Sequence, residues 1–124
     1  MKLAYILTSL ILLLLSQSPA WSLGDDECDY AGNQSQMNAC AVRDFETADR
    51  ELNIIYKELM DSMPKSKQKA LQNEQRAWLK TRDPKCKVEA NDEAEGGSMW
   101  PMLYQSCRAN ATQARIKILK QWKK

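Results

Sequence analysis

The chain has 124 residues, with 18 basic and 16 acidic side chains, a formal net charge of +2 and no histidine. That near balance gives no electrostatic reason to expect a nucleic-acid partner, which needs a concentrated excess of base. Without histidine there is no Ser–His or Cys–His pair, so the common nucleophilic hydrolases are excluded.

The N-terminus reads as a secretory signal. Lys2 precedes an almost wholly apolar run from Leu3 to Leu15, and residues 16–22 end in Ala20-Trp21-Ser22, small residues where a signal peptidase needs them. The run spans 13 residues, short of the ~20 that cross a bilayer. Its bland alternative is an uncleaved anchor helix. The first cysteine, Cys28, stands behind Asp25, Asp26 and Glu27 rather than directly after the apolar run, so lipidation is not expected. The expectation is a signal peptide at 1–22 and one mature domain at 23–124, periplasmic or secreted, with no stable membrane insertion after cleavage. Removal of residues 1–22 leaves 102 residues with 17 bases and 16 acids.

Four cysteines remain: Cys28, Cys40, Cys86 and Cys107. An even count in a small exported chain implies two disulfides, for which three pairings exist. No C-x-x-C is present, so neither a redox motif nor a zinc knuckle is supported, and no metal or cofactor is expected.

The periodicity predicts three helices. The first runs from about Ser35 to Met63, because Met37, Ala41, Phe45, Ala48, Leu52, Ile55, Leu59 and Met63 step by four and three. Polar residues at 33–35 supply its cap. The second begins near Pro64 and is expected to end before Pro84, since a residue preceding proline avoids the helical region. Gly96, Gly97 and Ser98 break the chain again. Ser98 can cap a third helix with Pro101 in its first turn, and Leu103, Cys107, Ala111, Ala114, Ile118 and Trp122 form its apolar stripe. The lysines in its last turns suit the negative end of a helix dipole. With no alternating β pattern of useful length, the fold class is all-α: a disulfide-stapled antiparallel three-helix bundle. Cys28–Cys40 and Cys86–Cys107 are the expected bridges, each bracketing a helix boundary and closing a short loop.

One feature of the second helix is unusual. Leu71, Gln75, Trp78 and Arg82 share a face, and two of the four are polar. The first helix carries Asp49, Asn53 and Tyr56 beside its apolar seam, and the third carries Arg108, Thr112 and Arg115. A half-buried carboxylate is costly unless an arginine meets it. Asp49 is therefore expected to pair with Arg76 or Arg82 of the second helix or Arg115 of the third. The stripe reads as a structural polar network of Asp49, Asn53, Gln75, Arg76, Arg82 and Arg115 that fixes helix register. A ligand site built from the same residues is the alternative.

These motifs carry a resemblance. C-x11-C at 28–40, ADRELNIIY at 48–56, LQNEQRAWLKTRDPKC at 71–86, GGS at 96–98 and C-x4-T-x2-R at 107–115 resemble the LprI-type lysozyme-inhibitor domain, a family of small exported bacterial helical domains. The likeness covers essentially the whole mature chain. It implies a non-enzymatic protein that binds a lysozyme and blocks its cleft. The acidic loop expected at 88–97, with Glu89, Asp92, Glu93 and Glu95 and followed by Trp100, is the candidate binding surface, since acids are steered toward basic proteins. The bland reading of that stretch is a solvated connector. The runner-up function is an envelope accessory or immunity module that binds another exported protein.

Overall fold

The computed structural model describes residues 28–122, so the expected signal peptide lies outside the described residues. Three helices make up the fold: α1 Gln34–Ser62, α2 Lys65–Ala94 and α3 Trp100–Gln121, with no strand among the described residues. Side-chain bonds set their directions. Residues 38 and 51 of α1 meet residues 98 and 120 around and within α3, while residues 75 and 82 of α2 meet residues 115 and 112. The chain therefore runs up, down and up, with α2 antiparallel to its two neighbours.

Local chemistry explains each boundary. Asn33 caps α1 reciprocally: its side chain accepts the Gln36 N–H at 3.0 Å, and Gln36 Oε1 accepts the Asn33 N–H at 2.9 Å. Pro64 separates α1 from α2, and Gln68 Nε2 donates to the carbonyls of Met60 and Met63, both at 3.0 Å, the former also accepting the Met63 N–H at 3.2 Å. At the end of α2, Gly96 adopts φ +72°, the left-handed conformation that closes a helix and that only glycine takes cheaply. Ser98 does not cap α3, contrary to the sequence reading. Met99 occupies that position without a side-chain bond, and the Ser98 carbonyl accepts Asn38 Nδ2 at 3.1 Å.

Two further expectations are corrected. Helix α2 does not stop before Pro84 but continues through it to Ala94. An interior proline loses a main-chain bond and costs about 3 kcal/mol in isolation. Here the segment beyond it is fastened to α3 by the Cys86–Cys107 bridge, by Trp100 Nε1 donating to Asn91 Oδ1 at 2.7 Å, and by buried Ala90. The apolar stripe of α3 is also displaced. Its buried positions are Ala109, Thr112, Arg115, Ile116 and Leu119, whereas Ala114 and Ile118 are exposed.

The core is unevenly distributed. Leu52, Ile55, Leu59, Leu71, Ile116 and Leu119 form one cluster at the α1–α2 turn end, flanked by Tyr56, Trp78 and Trp122. The opposite half buries small groups instead: Ala41, Ala48, Ala90, Ala109 and the cysteines Cys40 and Cys86. Both bridges lie there, Cys28–Cys40 and Cys86–Cys107, with Cα separations of 4.5 and 5.5 Å. Where little apolar area can be buried, the covalent staples supply the missing constraint. Among the described residues no helix is long and apolar enough to cross a membrane.

Candidate functional site

Between the two halves lies a polar layer centred on Arg82. Its guanidinium donates from Nη1 to Asp49 Oδ1 at 2.9 Å on α1 and to Thr112 Oγ1 at 3.2 Å on α3, and from Nε to Asp83 Oδ1 at 2.9 Å. One side chain thus ties all three helices. Arg108 adds a forked bond to Asp83, at 2.9 and 3.3 Å, and lies 3.7 Å from the Phe45 ring centroid. Further along, Arg115 donates from Nε to Gln75 Oε1 at 2.8 Å and from Nη1 to Glu74 Oε1 at 2.9 Å. Burial alone would push the Asp83 carboxyl up. The hydrogen bonds and charges of Arg82 and Arg108 outweigh it and hold the group below its ordinary value.

The layer differs in membership from the sequence reading. Asp49 meets Arg82, and Gln75 meets Arg115. Asn53 and Arg76 are solvent-exposed and stand outside it, because their positions on α1 and α2 turn away from the neighbouring helices. Asp83 and Glu74 were missed. Asp83 was lost because Pro84 was read as a stop, which took its neighbour off the helix.

The acidic stretch is not a loop. Glu89, Asp92 and Glu93 belong to the last turns of α2 and Glu95 is its cap residue, and all four are exposed. The last turn of α2 has no base, although a cation there would be favourable by about 0.3–1 kcal/mol. Acids are gathered instead at the negative end of the helix dipole, the sign that opposes stability. Lys85, 3.8 Å from Glu89, offsets part of that charge. Trp100 is half-buried at the same corner, bonded to Asn91 and stacked on Tyr104 with ring centroids 4.9 Å apart. Beside it Met99 is 44% exposed. The corner is thus a rigid, negatively charged knuckle with an apolar spot.

A groove of about 460 Å³ runs along α2 and α3 next to this corner. Trp78, Arg82, Lys85 and Glu89 line one side; the Cys86–Cys107 bridge, Ala111, Ala114 and Ile118 line the other, with Arg115 among them. Glu89 belongs to both features. Among the described residues no cluster of His, Cys, Asp or Glu could hold a metal ion.

Residues 25–119 match the family described as Lysozyme inhibitor LprI. A protein of Rhizobium meliloti (strain 1021), described as uncharacterized, is 35% identical over 127 residues, covering 91% of this chain and 91% of its own. No solved structure matches. The stapled three-helix frame and the match across nearly all of its described length lead to one conclusion: the chain belongs to the LprI lysozyme inhibitor family.

Proposed function

We propose that the mature protein is an exported, non-enzymatic inhibitor that binds a lysozyme-type muramidase and obstructs its cleft. The observation that carries the reading is the family match over residues 25–119, and the acidic corner gives it a physical route. Many lysozymes are strongly basic, and their chemistry uses a pair of carboxylates in an open cleft. A fixed cluster of Glu89, Asp92, Glu93 and Glu95 attracts such a surface at long range and orients the encounter. Because the cluster is helical and pinned by the 86–107 bridge and the Trp100–Asn91 bond, little conformational freedom is lost on docking. Two disulfides are consistent with folding in an oxidising compartment, periplasmic or extracellular.

The direct test is a cell-wall lysis assay in which purified mature protein is titrated into muramidases of several types. Dose-dependent inhibition of at least one is expected. The variant Asp92→Asn/Glu93→Gln/Glu95→Gln should inhibit more weakly with its fold intact. If the wild type inhibits none of the enzymes, the inhibitor reading fails and the accessory-module reading replaces it.

A further inference from the structure

Helix α3 is apolar on two faces. One face, with Ala109, Ile116 and Leu119, is covered within the bundle. The other carries Cys107, Ala111, Ala114 and Ile118 along the open groove, and Ile118 is 44% exposed. Helix α3 already packs on both α1 and α2, and the groove face is the part that those contacts leave open. The groove lining repeats at three and four residues on both helices, so it extends for about three turns, roughly 16 Å. Its floor of alanines lets another backbone approach closely, and Trp78 offers a broad apolar wall.

The charges in the groove point to the occupant. Arg82, Lys85 and Arg115 line it; Asp49 and Asp83 meet Arg82, Glu89 lies 3.8 Å from Lys85, and Glu74 meets Arg115, whose guanidinium keeps one bond unmade. Arg115 has only 4% of its surface exposed and spends Nε and Nη1 on Gln75 and Glu74, while its Nη2 is buried with no acceptor. An unmade bond on a buried charged donor is unfavourable, and an incoming oxygen acceptor would relieve it. A second copy of this chain packed α3 on α3 would instead set Lys85 and exposed Lys117 of each copy against like charge.

We infer that the α2–α3 groove is the second half of the muramidase-binding surface, gripping a protruding apolar segment of the enzyme that carries a carboxylate. This rests on the inhibitor reading and extends it: the acidic corner guides the encounter, and the groove holds the complex. The two parts respond oppositely to one substitution. On charge steering alone, Lys85→Glu adds an acid beside the corner and should speed association with a basic enzyme. With a carboxylate seated in the groove, the same change weakens the complex.

The experiment uses a muramidase that the wild type inhibits and compares wild type, Ala114→Trp and Lys85→Glu by inhibition titration. Both positions are exposed, so helical content and the thermal midpoint should be retained. Ala114→Trp fills the groove and should weaken inhibition about tenfold or more, and Lys85→Glu should weaken it as well. If Ala114→Trp inhibits as well as wild type, or Lys85→Glu inhibits better, the groove assignment is wrong while the inhibitor reading stands. If the wild type inhibits no muramidase, both fall together. If the wild type sediments as a dimer and Ala114→Trp as a monomer, the groove is occupied by a second copy and the assignment is overturned.

Discussion

Arg82 is the residue on which all three helices converge, and its removal should be much costlier than the removal of any one partner. In Arg82→Met the aliphatic stem is kept, while the guanidinium that lies 4.9 Å from the Phe45 ring centroid and 5.2 Å from that of Trp78 is lost. What disappears is the charge that meets Asp49 and Asp83 and the donor that meets Thr112. Removing one member of a fully buried pair costs about 3–5 kcal/mol. Here the surviving carboxylates are 35% and 41% exposed, and water recovers part of the loss, which brings the expectation to about 2–3 kcal/mol. In Asp49→Asn the guanidinium keeps Asp83 and Thr112, so the cost should be near 1 kcal/mol, that of one charge-assisted bond in a partly solvated place. Urea unfolding reads both. With a slope of about 1–1.5 kcal/mol/M for a chain this size, Arg82→Met should move the midpoint by roughly 2 M and Asp49→Asn by less than about 1 M. Equal midpoints for the two variants, at unchanged slope, would refute the view that Arg82 is the hub.

Asp83 should dominate part of the acid limb. Its carboxyl is held below the ordinary value, so its contribution is present above about pH 4 and is lost as pH falls through the folded value; thermal midpoints from pH 6 to 2 should fall less steeply for Asp83→Asn than for wild type. Replacing Cys86 and Cys107 by alanine releases a closure of 21 residues in the weakly apolar half and should cost about 3 kcal/mol in urea unfolding. Gly96→Ala meets no atom within 4 Å, so its cost is backbone strain alone, about 1 kcal/mol by the same measurement.

The bundle was legible because α1 is regular: its apolar positions step without interruption, and its buried residues Ala41, Ala48, Leu52, Ile55 and Leu59 are those the period selects, with Cys40 buried beside them. The bridges were legible for a similar reason, since local closures suit a short chain. The stop expected at Pro84 is overridden because the tertiary fastenings of residues 86–94 outweigh the local preference against helix. With that stop the acidic helix end reads as a loop and Asp83 falls off the helix. The stripe of α3 was misread for a different reason. With apolar residues on two faces, periodicity shows that a face is apolar and not which neighbour covers it. Arg82 and Gln75 were found because polar residues in register with Leu71 and Trp78 have to be satisfied; Asn53 and Arg76 lie only one helical step away, which a sequence period alone does not resolve.

The most direct test of the central claim is the association rate of the mature protein with a muramidase it inhibits, measured against salt for the wild type and for Asp92→Asn/Glu93→Gln/Glu95→Gln. The account predicts fast association at low salt that slows steeply as salt rises, with dissociation little changed. The triple variant should associate slowly at every salt concentration and unfold no earlier than wild type, because the acids removed oppose the α2 dipole. Equal association rates for the two proteins at low salt would contradict it, since the acidic corner would then play no part in finding the partner.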